Sequence, residues 1–100
     1  MNIPDKVRIG SFDYKVKLID ETILLGNTAC YGRIEFDTHT IEINQKLQDS
    51  QGLQQTFLHE LVHGIVKHFN IKLPQENEED IVDKMSCGLH QVIRDNPGIF

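Results

Sequence analysis

The hydrophobic pattern of this chain changes its period once, near Gln51, and that change limits the folds open to it. Before Gln51, apolar residues recur at every second position. After it they recur at intervals of three and four. Period two marks a strand with one buried face, and period 3.6 marks an amphipathic helix. Strands first and helices after, with no alternation between them, predict an α+β fold. A chain of 100 residues has room for one compact domain.

Residues 6–19 alternate on both sides of Gly10-Ser11, which predicts a β-hairpin with Val7, Ile9, Phe12, Tyr14, Val16 and Leu18 as its alternating sets. Residues 20–29 contain Gly26-Asn27 and read as a loop. Residues 31–36 and 40–44 form a second alternating pair around the turn Asp37-Thr38-His39, where His39 is expected in solvent. Ile34, Phe36, Ile41 and Ile43 would face the core, and Arg33, Glu35 and Glu42 would face water. The expected sheet is antiparallel, of about four strands, and packs on two helices.

The first helix carries Leu58, Leu61, Val62, Ile65 and Phe69 on one stripe, and Pro74 closes that region. The run Gln75-Glu76-Asn77-Glu78-Glu79-Asp80 places acids where a helix dipole favours them. Ile81, Val82, Met85, Leu89, Val92 and Ile93 then define a second amphipathic helix with Met85 in the core, ending near Asn96-Pro97-Gly98.

Composition narrows the function. Formal net charge is −5, and no basic run or Lys/Arg face is present, so nucleic-acid binding is disfavoured. No apolar segment approaches membrane-spanning length, and the first residues lack the apolar core of a secretory signal. Cys30 and Cys87 are far apart and form no CxxC pair; they read as free thiols in a reducing cytosol.

The chemistry lies at His59-Glu60-Leu61-Val62-His63, an HExxH motif at the edge of the first helix's apolar stripe. A helix brings residues four apart onto one face, so both imidazoles can bind one zinc ion. Glu60 is then placed as general base for a water on that metal. Chance alone produces the motif in on the order of one comparable chain in sixty, so its setting has to carry the reading.

A catalytic zinc takes three protein ligands and keeps a position for water. His68 is nine residues past His59, about half a helical turn out of phase, and is excluded as the third. The acidic start of the second helix offers Glu79, with Asp83 and Glu78 as alternatives. The spacing Glu79-x-x-x-Asp83 resembles the thermolysin-type arrangement, in which the Glu binds zinc and a carboxylate one turn later bonds a zinc-binding histidine. On that pattern Glu79 is the ligand and Asp83 orients His59 or His63. Tyr31 and His90 are candidates for stabilising an oxyanion, beside plainer roles as a half-buried aromatic and a satisfied surface histidine. Gly64, directly after the motif, suggests a close approach of helix or substrate.

Residues 31–36, 41–43, 56–64 and 88–97 together resemble the small HExxH proteins of bacteriophages and prophages, near the ImmA/IrrE-like metallopeptidases of gluzincin type. At position 83 the chain departs from the family pattern, with Asp where a Glu is expected. The resemblance implies a minimal zincin-like domain in the cytoplasm of a bacterial host. It implies a zinc metallopeptidase acting on a protein or peptide substrate, a repressor or other regulatory protein among the candidates. A substrate strand would pair with residues 40–44 if these form the sheet edge. The rival readings are a zinc-stabilised module that binds a regulatory protein without cleaving it, and a purely structural α+β protein.

Overall fold

The computed structural model describes residues 1–99. Six strands precede two helices: β1 (Lys6–Ile9), β2 (Phe12–Ile19), β3 (Ile23–Leu25), β4 (Thr28–Cys30), β5 (Gly32–Glu35), β6 (Thr40–Asn44), α1 (Ser50–His68) and α2 (Glu78–Asp95), with a 3-10 turn at Gln75–Asn77 before α2. The α+β class expected from the change of period is the class observed.

The main sheet has the order β1-β2-β6-β5 and is mixed. Each hairpin is antiparallel as its alternation requires, but β2 and β6, the two strands that join them, run parallel from Lys15↔Thr40 to Ile19↔Asn44. The antiparallel expectation is corrected at this seam. Parallel partners need a connection that crosses back along the sheet; residues 20–31 stay at one end of it, with Ile19 and Tyr31 both beside Asn44, and β5 makes the return before β6 begins. Residues 20–29 are not a plain loop either. Ile23–Leu25 and Thr28–Cys30 pair as a separate hairpin with Gly26 in the left-handed region (φ 65°). Three-residue strands are too short for alternation to show them.

Ile9, Tyr14, Ile41, Ile43, Phe57 and Leu58 form the buried cluster where α1 lies on the sheet. Gly64 lets the helix close on it: a Cβ there would sit 2.7 Å from Ile9 Cδ1 and 3.2 Å from Ile34 Cδ1. α1 begins at Asp49, whose side chain accepts from the Gly52 N–H (2.9 Å) and satisfies one of the free amides of the first turn. α2 packs chiefly on α1 and reaches the buried cluster through Leu89 and Ile93.

Several apolar residues expected inside are exposed: Phe12, Leu18, Ile65, Phe69, Met85 and Val92. Met85 and Val92, two turns apart on α2, share an exposed face that no layer covers among the described residues. His39, expected in solvent, is half-buried and stacks on Phe12 with ring centroids 4.3 Å apart. Among the described residues no helix is long and apolar enough to cross a membrane.

Candidate metal centre

His59 and His63, one helical turn apart on α1, converge with their Nε2 atoms 3.2 Å apart. Glu79, in the first turn of α2, reaches both: Oε1 is 2.7 Å from His59 Nε2 and Oε2 is 3.0 Å from His63 Nε2. Ligand atoms of these three residues all lie within 4.8 Å of one another. Two imidazoles and a carboxylate are a donor set used by catalytic zinc. At zinc–ligand bonds near 2.0–2.1 Å, two donors of a tetrahedral site stand about 3.3 Å apart. The histidine pair already has that separation, and a small shift of the exposed Glu79 would bring the third donor to match. The residues present therefore fit zinc, and Glu79 is the acid nearest both Nε2 atoms.

The other two acids sit behind the histidines. Asp83 Oδ1 is 3.5 Å from His59 Nδ1, and Glu78 Oε2 is 3.8 Å from His63 Nδ1. A carboxylate near Nδ1 favours the proton on that nitrogen and leaves Nε2 free to donate its lone pair. Asp83 is placed beside His59 as the Glu79-x-x-x-Asp83 spacing suggests. Glu78, considered from the sequence only as a ligand, faces the opposite ring nitrogen of His63. Its position one residue before Glu79 gave no signal of that role.

Glu60 faces a different environment from these exposed acids. It is 7 % exposed, and burial pushes its carboxyl up to about 7, with the negative charge of Glu79 adding to the rise and His59 opposing it. Gly32 of β5 lies beside it, where the strand passes close over Thr56 of α1. A Cβ at Gly32 would meet Thr56 Cγ2 at 2.6 Å and come to 3.5 Å of Glu60 Oε2. Glycine inside a strand is a known mark of close approach, and this is the signal by which Gly32 belongs with the site. Gln48 fixes the same corner: its amide N–H donates to Asn44 O (2.8 Å) and its Oε1 accepts from the Thr56 hydroxyl (2.5 Å).

His59, Glu60, His63, Glu78, Glu79 and Asp83 open into one cleft of about 1210 Å³. Tyr31 lines it too, and is 60 % exposed rather than the half-buried aromatic its pattern suggests. His90 does not line it. Buried at 6 % exposure, His90 hydrogen-bonds Gln54 Oε1 (2.9 Å), and burial lowers its pKa, assisted by the positive charges of Arg94 and the N-terminus. His68 is likewise committed elsewhere, to the hydroxyl of the fully buried Tyr14.

The strand beside the cleft is β5, not β6. Residues 40–44 lie between β2 and β5 with partners on both sides, so they cannot receive a substrate strand. β5 is the edge strand on the cleft side, with Gly32 buried and Ile34 half-buried. Tyr31 O accepts from Asn44 N–H (2.8 Å), and antiparallel pairing alternates, so Gly32 and Ile34 turn their backbone N–H and C=O outward.

Comparison with known protein families, curated proteins and solved structures finds no match.

Proposed function

We propose that this chain is a zinc-dependent peptidase in which His59, His63 and Glu79 hold the metal and Glu60 is the general base. The observation that carries the reading is the convergence of those three donors on the wall of a cleft that also contains a buried carboxylate. Bound zinc would supply Lewis-acid polarisation of the scissile carbonyl and of the attacking water. Glu60 accepts a proton from that water as it adds to the carbonyl carbon. The C–N bond then breaks, and Glu60 returns the proton to the leaving nitrogen. Asp83 and Glu78 orient the histidines, and the edge of β5 offers backbone groups to an extended peptide. Of the two oxyanion candidates Tyr31 lines the cleft, whereas His90 lies outside it and bonds Gln54.

In this reading the substrate is a protein or peptide and the setting is the cytoplasm of a bacterial host, in line with the resemblance to ImmA/IrrE-like phage proteins. One observation favours the zinc-stabilised binding module instead. The same three donors join α2 to α1, and α2 has little contact with the sheet. A metal there would stabilise the fold without any chemistry.

Glu60→Gln separates the two. The variant should keep its zinc, measured by elemental analysis of protein purified without chelators, and lose peptide cleavage by about 10²–10⁴-fold. Cleavage at the wild-type rate, or biological activity unaffected by the substitution, sinks the peptidase reading and leaves the binding module.

A further inference from the structure

Pleating collects cations that the sequence keeps apart. Paired residues of β1 and β2 share a face, so Lys6, Arg8, Lys15 and Lys17 all point away from the helices, with Ile9 and Tyr14 buried on the other side. All four are exposed, and none forms an ion pair among the described residues. Asp13, opposite Arg8, is the single acid on that face of the hairpin. Lys6 stands directly across from Lys15, a like-charge pair that costs stability. A basic face therefore exists, although the sequence holds no basic run.

β1 is also a free edge, on the opposite side of the sheet from β5 and the cleft. Val16 N–H donates to Asp5 O (2.8 Å), and antiparallel pairing alternates, so Val7 and Ile9 bond β2 as Asp5 does. Lys6 and Arg8 turn their N–H and C=O outward. Above that edge lies an apolar flank of α1. Gly64 faces the sheet, and His63 faces the cleft, one step of about 100° to one side. Ile65 is one such step to the other side, over β1, and Leu61 and Phe69 fall on the same flank. Ile65 and Phe69 are 37 % and 63 % exposed.

Cations on an edge strand commonly keep it from pairing with its own copies. Two β1 strands laid together would set Lys6 and Arg8 against like charges, so a second copy of this chain is not the occupant. Protection of the edge leaves the bare Ile65 and Phe69 unexplained, since apolar surface beside a free strand invites pairing. An acidic strand satisfies both features. We propose that the β1 edge is a docking surface for an extended segment of a partner protein that alternates acidic and apolar residues. Its acidic side chains lie across from Lys6 and Arg8, its backbone completes their outward hydrogen bonds, and its apolar side chains pack beneath Ile65 and Phe69. A duplex nucleic acid would use the charge and leave the backbone groups and the apolar flank idle. Because β1 and β5 are opposite edges, a partner held here leaves the cleft free, and the proposal stands whether or not the metal centre cleaves peptides.

The test titrates the full chain with a fluorescent synthetic peptide of alternating Glu and Val. Replacing its Glu by Lys, or gathering the same residues into separate blocks of Glu and Val, should weaken binding about tenfold. Arg8→Glu should weaken the Glu–Val peptide by a similar factor and favour the Lys–Val peptide instead. Ile65→Ser should weaken both, with urea unfolding as the check that each variant is folded. Amide exchange on the wild-type chain needs no variant: bound peptide should protect the Lys6 and Arg8 N–H groups. No binding at about 1 mM peptide, binding that leaves those two amides unprotected, or equal affinity for the Glu–Val and Lys–Val peptides overturns the proposal. So does protection that grows with protein concentration alone, which marks a second copy, or a duplex DNA oligonucleotide that binds more tightly than the peptide.

Discussion

α1 and α2 both reach the candidate metal centre, yet the fold holds them very differently. α1 packs on β1, β5 and β6 on one side and α2 on another, and buries Phe57, Leu58, Glu60, Val62 and Gly64. α2 packs chiefly on α1, buries only Val82, Ser86 and His90, and leaves Met85 and Val92 in solvent. Their donors follow suit. The side chains of His59 and His63 are 18 % and 17 % exposed, whereas that of Glu79 is 74 % exposed. α1 thus presents a pair of donors whose geometry is set before any ion arrives. α2 brings negative charge on a helix that the ion itself would help to hold.

The largest expected effect of this asymmetry is on zinc affinity. His59→Ala removes a preorganised donor and should weaken zinc binding on the order of a thousandfold, a per-ligand share of the total for a structural zinc site. Asp83→Asn leaves all three ligands and weakens only the orientation of His59, so a 10–100-fold loss is expected. Titration against a chromophoric chelator reads both. Equal losses would mean that the two helices contribute alike, and the contrast would fail.

A smaller effect concerns the fold. With free zinc a hundredfold above its dissociation constant, binding stabilises the chain by about 2.7 kcal/mol. Amide exchange should show that gain mostly in α2, because α1 is already secured by the sheet. Protection that rises uniformly over both helices, or mainly in α1, contradicts the picture of a metal fastening α2.

Much of this was legible in the sequence, and the failures have physical causes. The HExxH spacing places His59 and His63 on one face because helical periodicity decides which side chains of a helix lie together. The acidic start of α2 leaves Glu79, Asp83 and Glu78 all open as the third donor, since periodicity within one helix does not say which residue of another will meet it. The two long hairpins were legible through periodicity too, at period two. Periodicity says nothing about which strands become neighbours, so the parallel β2–β6 pairing and the place of β5 at the edge were not. An apolar residue at helical spacing also looks the same whether a layer covers it or not. Met85 reads as core, and only the absence of a third layer over α2 leaves it exposed. His90 shows the converse, since its hydrogen bond with Gln54 joins residues 36 apart in the chain.

The finest contrast between the helices is in their carboxylates. Glu79, Glu78 and Asp83 on α2 are solvated, whereas Glu60 on α1 is buried with its carboxyl pushed up to about 7. A folded-state pKa above the unfolded value near 4.5 means that the folded chain holds its proton more tightly. Stability from this group is complete below about pH 4.5 and declines as pH rises through 7. Metal-free wild-type protein should therefore lose about 2 kcal/mol between pH 5 and pH 8 relative to Glu60→Gln, measured by urea unfolding at each pH. A bound cation would favour the carboxylate and shrink that difference. The Gln variant would then be the more stable metal-free protein at pH 8 and the less active enzyme with zinc, the opposition expected where a buried charge is kept for chemistry. If the two proteins unfold alike at pH 8, Glu60 is better solvated than its burial implies, and the contrast with the acids of α2 disappears.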